Sequence, residues 1–222
     1  MIIMDELETI HMLGYKIYSG SRRKLVEKIR YDFQQQLSNI VFAINPLKVM
    51  LACEKQEIRE VLQSADILIP DGVGILYEAK KKQLRIEERI TGIDFMHQIC
   101  RLSLELGASI FIYGASQENL VQAVQNLKKL YPGIRIAGYM NGYETDTESV
   151  NRMINECKAD ILFVACGSPM QELYIHANQH ALPNVKFFLG VGGSVSYTHL
   201  DVYKRQAQGS VYVRHQRPGD GN

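Results

Sequence analysis

The sequence predicts an α/β fold, a Rossmann-like sandwich in which a mostly parallel sheet is covered by helices on both faces. Two observations carry that expectation. Short apolar runs rich in β-branched residues alternate with stretches of helical spacing along the chain. The runs are also continuously apolar, whereas a sheet with one wet face would alternate polar and apolar side chains.

Taken in order, the first candidate strand runs from Asn39 to Asn45 and is followed by helical spacing from Pro46 to Gln63. Asp66 to Pro70 is the second strand, and Val73 to Lys82 the helix after it, closing on Lys80, Lys81 and Lys82, which complement the helix dipole. A helix from Ile93 to Leu106 leads into the third strand, Ser109 to Tyr113. The helix Gln117 to Tyr131, the strand Ile134 to Gly138 and the helix Thr147 to Cys157 come next. Asp160 to Ala165 is the fifth strand. The helix Pro169 to Ala181 opens with Pro at a favoured first position and Glu172 in its first turn, and Val185 to Leu189 is the last strand.

A chain of 222 residues, 46% hydrophobic and 22% charged, can bury one sizeable core, so one globular domain is expected. A formal charge of +1 and the lack of aromatics interleaved with a basic stripe argue against nucleic acid as a partner. Cys53, Cys100, Cys157 and Cys166 fall singly, without zinc-ligand spacing, and read as reduced core thiols of a cytosolic protein. Asp5, Glu6 and Glu8 stand where a signal peptide would be basic, and no long apolar run follows, so membrane contact is expected to be peripheral.

Parallel sheets bind ligands at the carboxyl ends of their strands, where loops and helix N-termini present free N–H groups. Here those ends read Asn45-Pro46, Pro70-Asp71-Gly72, Tyr113-Gly114-Ala115, Gly138 with Asn141-Gly142-Tyr143, Gly167-Ser168-Pro169 and Gly190-Val191-Gly192-Gly193. Turn formation accounts for part of this glycine, and six such ends on one edge point to an extended polar ligand. Asp71 is the sharpest candidate, either a general base facing the cleft or a turn aspartate capping the next helix. Arg89 precedes a helix whose first turn contains Asp94 and is either a salt-bridged surface residue or a diphosphate clamp. His176 and His180 lie four apart without the Glu of a metalloprotease helix, and they read as a polar helix face; no metal is expected.

The runs Ala43-Ile44-Asn45-Pro46, Pro70-Asp71-Gly72-Val73-Gly74 and Glu88-Arg89-Ile90-Thr91-Gly92-Ile93-Asp94 resemble, in order and spacing, the N-terminal half of the WecG/TagA/CpsF glycosyltransferases. Tyr131-Pro132-Gly133, Gly142-Tyr143, Gly167-Ser168-Pro169-Met170-Gln171-Glu172 and Gly190-Val191-Gly192-Gly193-Ser194 are similar to the second half, so the resemblance covers Ile10 to Ser194.

That resemblance implies transfer with inversion of an N-acetylmannosamine-type sugar, or a related hexose, from a UDP donor to a polyprenyl-diphosphate-linked sugar at the inner leaflet of the membrane, by a protein able to self-associate. By position it makes Asp71 the base and lines the substrate pocket with Asn45, Arg89 and Gln171. Gly72, Gly114, Gly142, Tyr143, Gly167, Pro169, Glu172, Gly190, Gly192 and Gly193 are expected around them. No cofactor is implied, and no DxD motif occurs in the chain. Leaving-group charge is then expected to fall to Arg89, backbone N–H groups and helix N-termini.

Two departures stand out. Ala43 occupies a position where many members carry Thr. Val195 to Gln206, where the family continues into a basic, aromatic C-terminal appendage, instead resembles a recurrent artefactual ending of proteins translated from assembled reads. Ala207 to Asn222 is polar, Gly-rich and aperiodic. A transferase domain over 1–194 and a tail over 195–222 are therefore expected, with weak or no activity in the chain as written. Two other readings stay open: a UDP-sugar-binding module without activity, and an NAD-dependent oxidoreductase, against which the first strand lacks a GxGxxG turn.

Overall fold

The computed structural model of the chain describes residues 7–144 and 146–192, so Gly193 and the tail expected over 195–222 lie outside the described residues. The strands are β1 (Thr9–Met12), β2 (Tyr15–Tyr18), β3 (Asn39–Ile44), β4 (Ile67–Pro70), β5 (Ser109–Gly114), β6 (Arg135–Met140), β7 (Ile161–Ala165) and β8 (Phe187–Gly190). The helices are α1 (Arg22–Gln34), α2 (Pro46–Glu54), α3 (Gln56–Gln63), α4 (Val73–Lys81), α5 (Gly92–Leu106), α6 (Gln117–Leu130), α7 (Thr147–Glu156) and α8 (Met170–Asn178).

The strands form one sheet in the order β1-β2-β4-β3-β8-β7-β5-β6, parallel throughout except for the β1–β2 hairpin. Side chains of β3, β5 and β7 divide by parity. Val41, Ala43, Ile110, Ile112 and Phe163 join Leu25, Phe95 and Leu120 of α1, α5 and α6 in one core. Ile40, Phe42, Phe111 and Leu162 join Ala52, Ile58, Ile75, Val150 and Ile175 of α2, α3, α4, α7 and α8 in the other. Helices thus cover both faces of a mostly parallel sheet, as the continuous apolar runs imply.

Local chemistry fixes the helix starts. The side chains of Ser21, Asn45, Thr91 and Ser116 each accept the backbone N–H three residues on, and that of Asp146 accepts from Glu148. Gly107, at φ 63°, closes α5 in the left-handed conformation that glycine adopts most readily.

The structure departs from the sequence expectations in four places. It adds the β1–β2 hairpin and α1 ahead of the first expected strand. It divides the expected helix Pro46–Gln63 at Lys55, whose φ of −125° and ψ of 110° are extended. It places Pro169 at the cap position of α8, one residue before the helix begins. And it exposes Cys53 on α2, leaving Cys100 as the fully buried thiol.

Inside α5, His97 is 2% exposed, and its Nδ1 lies 2.6 Å from the Tyr131 hydroxyl. Burial, with the charge of Arg101 adding to it, lowers its pKa from 6.5 to about 4. The unfolded chain therefore binds the extra proton first, so this contribution to stability is complete above pH 6.5 and is lost as pH falls toward 4. The displacement corresponds to about 3 kcal/mol at most. Urea unfolding at pH 7.5 and pH 4.5 should show a steeper loss in the native chain than in His97→Gln, and equal losses would exonerate His97.

Candidate active site

Parallel register brings the carboxyl ends of β3, β4, β7 and β8 to one edge: Ile44 pairs with Pro70, and Val164 with Gly190. The chain turns away from each strand there, and a cleft of about 390 Å³ opens between the turns. Its walls are Ala43 near the end of β3 with Asn45 and Lys48 beyond it, Asp71 after β4, Arg89, Thr91, Gly92 and Ile93 around the start of α5, Ser168 and Gln171 around the start of α8, and Gly190 at the end of β8 with Val191 and Gly192 after it. Asn45, Asp71, Arg89, Gln171, Gly190 and Gly192, six of the residues singled out in the sequence, thus meet in one place.

Asp71 extends β4 by one residue, its N–H donating to Ile44 O at 2.9 Å. It does not cap α4. That position belongs to Gly72, at φ 91°, and no side chain bonds the helix end. The carboxylate instead lies 3.7 Å from Arg89 Nη2, with 26% of the Asp71 side chain and 45% of the Arg89 side chain exposed. Arg89 is delivered by the segment that follows β4's edge, where Ile90 N–H donates to Pro70 O at 3.1 Å. Arg89 thus pairs with Asp71 and lines the cleft.

The floor of the cleft holds a buried polar network that joins the expected residues Gln171 and Glu172 to Lys48, which the sequence reading missed. Lys48, on the first turn of α2, sends Nζ inward to Ala43 O at 2.7 Å and to Glu172 Oε1 at 2.6 Å. Gln171 Nε2 donates to the same Glu172 oxygen at 2.8 Å, and Gln171 Oε1 accepts the Gly192 N–H at 2.8 Å. Gln171 and Glu172 are 2% and 1% exposed, so Glu172 lies beneath the cleft and Gln171 forms part of its wall. Nothing local marks Lys48 in the sequence, because its partner Glu172 is 124 residues away.

Asn45 supplies Oδ1 to the Lys48 N–H at 3.0 Å as the cap of α2, and Gly72 packs near it, a Cβ there falling 3.7 Å from Asn45 Cβ. Gly167 and Pro169 flank the wall residue Ser168. Gly114, Gly142 and Tyr143 sit at the ends of β5 and β6 and are not among the walls. Tyr143 is 78% exposed, and its N–H donates to Asn141 Oδ1 at 3.0 Å. His176 Nδ1 lies 2.8 Å from Ser64 Oγ, and His176 is not among the walls of the cleft.

A Cβ at Gly190 would stand 2.7 Å from Gln171 Nε2 and 3.1 Å from its Cδ. Gln171 is tied at both ends of its amide, so it cannot swing aside freely. Gly190→Ala is expected to cost about 1–3 kcal/mol by overpacking. Urea unfolding checks it, and an unchanged midpoint would mean that Gln171 gives way.

Residues 10–202 match the glycosyl transferase WecG/TagA/CpsF family. The chain is 29% identical over 190 residues to the N-acetylglucosaminyldiphosphoundecaprenol N-acetyl-beta-D-mannosaminyltransferase of Bacillus subtilis strain 168, covering 85% of this chain and 73% of that protein. Against the enzyme of the same name from Bacillus spizizenii the identity is 32% over 160 residues, covering 72% and 62% of the two chains. The Staphylococcus aureus NCTC 8325 enzyme of that name is 27% identical over 206 residues, covering 92% and 79%. The match to the family runs from β1 through β8 and takes in all the walls of the cleft; this chain belongs to the WecG/TagA/CpsF family of glycosyl transferases.

Proposed function

We propose that this transferase moves an N-acetylmannosamine-type sugar from a UDP donor to a polyprenyl-diphosphate-linked N-acetylglucosamine with inversion, in the building of a cell-surface polysaccharide or teichoic acid, and that Asp71 is its base. The observation that carries the reading is the Asp71 carboxylate, presented at the cleft beside Arg89 and not spent on capping α4. Among the described residues, Asp71 is also the one carboxylate in the walls of the cleft. A single displacement needs one base. A double displacement would need a nucleophile as well, and the neighbouring carboxylate, Glu172, is buried in its pair with Lys48.

In the proposed reaction the acceptor hydroxyl oxygen bonds to the anomeric carbon as the bond from that carbon to the diphosphate oxygen breaks. The hydroxyl proton passes to Asp71, and UDP leaves with the bonding electrons. In this reading Arg89 and the N-terminus of α5, whose residues Gly92 and Ile93 form cleft wall, offset the negative charge that develops on the departing diphosphate. Among the described residues no helix is long and apolar enough to cross a membrane. The lipid-linked acceptor would be met at the membrane surface, in keeping with the acceptor that the relatives' names give.

The test is UDP release from UDP-N-acetylmannosamine in the presence of a lipid-diphosphate N-acetylglucosamine, with the anomeric configuration of the product read by NMR. It is run on the 222-residue chain and on a chimera in which residues 195–222 are replaced by the C-terminal segment of the Bacillus subtilis relative. Acceptor-dependent release with an inverted product supports the reading. UDP binding without release in either form would reduce the chain to a binding module, and a retained configuration would remove the single-base mechanism.

A further inference from the structure

We propose that Lys48 and Glu172 are a positioning pair that fixes Gln171 and, through it, the Gly190–Gly192 wall of the cleft. The inference rests on the transferase reading only for its kinetic consequence.

The pair is costly where it stands. The Lys48 and Glu172 side chains are 7% and 2% exposed, and taking both charges out of water offsets most of their attraction unless every polar atom is satisfied. Here they are not all satisfied. Glu172 Oε2 is buried without a hydrogen-bond partner, and Lys48 Nζ uses two of its three N–H groups, on Ala43 O and Glu172 Oε1. An apolar pair of similar volume would hold α2 against α8 equally well, so stability supplies no reason for charge at this point.

Geometry supplies one. Glu172 Oε1 accepts from Lys48 at 2.6 Å and from Gln171 Nε2 at 2.8 Å, which sets which end of the Gln171 amide points inward. The outer end, Oε1, then faces the Gly192 N–H at 2.8 Å. The amide also lies so close over Gly190 that no Cβ fits there. A continuous relay of hydrogen bonds, charge-assisted at Glu172 and neutral at Gly192, therefore runs from α2, which also carries Asn45 at its cap, through α8 to the loop after β8. In the strand order this loop lies across β3 from Asp71, so the relay sets the width of the cleft between the base and the opposite wall. Without the lysine, Glu172 has no cation to hold its oxygen in place. Without the carboxylate, the Gln171 amide is free to turn over and withdraw its acceptor from Gly192.

Two variants test this: Lys48→Met, and Lys48→Met/Glu172→Met, the second removing both charges so that folding does not hinge on an unpaired buried carboxylate. Thermal unfolding, hydrogen exchange of the Gly192 amide with the Gln171 side-chain NH₂ resonances, and UDP-sugar KM and kcat are measured on each. The double variant should melt at or above the native temperature and yet exchange the Gly192 amide about tenfold faster, as expected for one lost hydrogen bond in a folded protein. The donor kcat/KM should fall about 10- to 100-fold in both variants, through KM more than kcat. If the double variant keeps native Gly192 exchange and native Gln171 resonances, the pair is merely structural and the proposal is overturned. If those resonances change while the native chain transfers no sugar, the relay stands and the transferase assignment fails instead.

Discussion

Asp71→Asn is expected to lower sugar transfer by about a hundred- to ten-thousandfold, the range over which a positioned general base acts, while leaving the protein folded. The amide keeps the size and shape of the carboxylate but cannot take the acceptor's proton. Little else in the structure depends on the charge. The backbone N–H that ties residue 71 to Ile44 is untouched, α4 draws no cap from the side chain, and the ion pair to Arg89 is long at 3.7 Å and partly exposed. An exposed pair of that kind is worth under about 1 kcal/mol, so the melting temperature should move by no more than a few degrees. UDP affinity should stay near native, because Arg89 loses a competing carboxylate and keeps its place. Transfer assayed by UDP release, beside calorimetric UDP binding, checks both halves. A loss of less than tenfold would move the base to another residue; an equal loss of UDP binding would make Asp71 a binding group.

The contrast between Asp71 and Lys48 explains how much of this site was legible in the sequence. Asp71 could be read because strand-end chemistry is local: an apolar run, a proline and a glycine bracket the carboxylate within a few residues. Arg89, Asn45 and Gln171 were placed by resemblance, and the parallel register then brought them together with Asp71 around one cleft. Lys48 could not be read. On its own it is a polar residue one turn into a helix, and its burial arises only because β8 docks beside β3 and carries α8 against α2. The same division holds for the fold. The central strands are buried along their whole length and announce themselves. The hairpin does not, having four-residue strands at the sheet edge with Lys16 facing solvent and a turn at Leu13 and Gly14. Helix α1 did leave a signal, the Ser21 cap followed by Leu25 and Ile29 at helical spacing, within a run of charge that masks it. The break at Lys55 left none, since neither Gly nor Pro stands there.

Gly114 separates two reasons for a glycine at a strand end, and Gly114→Ala is expected to be the most destabilising single methyl in the sheet. At φ 117° the backbone is one that L side chains rarely adopt. A Cβ would also stand 2.4 Å from Ala165 C, 2.7 Å from Cys166 N and 2.8 Å from Ala165 O. Those atoms belong to the last residue of β7 and the residue after it, and β7 is held against β5 by register from Ile110 with Ile161 to Gly114 with Ala165, and by the Ala115 N–H to Ala165 O bond at 3.1 Å. Neither strand can retreat without breaking the ladder beside the cleft. Overpacking against backbone and strain at this φ add to about 3–5 kcal/mol, or roughly 10 °C in melting temperature for a domain of this size. Gly167→Ala is the control. Its φ of 76° is also positive, but a Cβ there meets nothing within 4 Å, so only the strain of about 1 kcal/mol remains. If Gly114 were needed instead to let a ligand approach the backbone, Gly114→Ala would melt near the native temperature and lose UDP affinity. The melting curves of the two alanine variants, taken with UDP titrations, decide between packing and recognition.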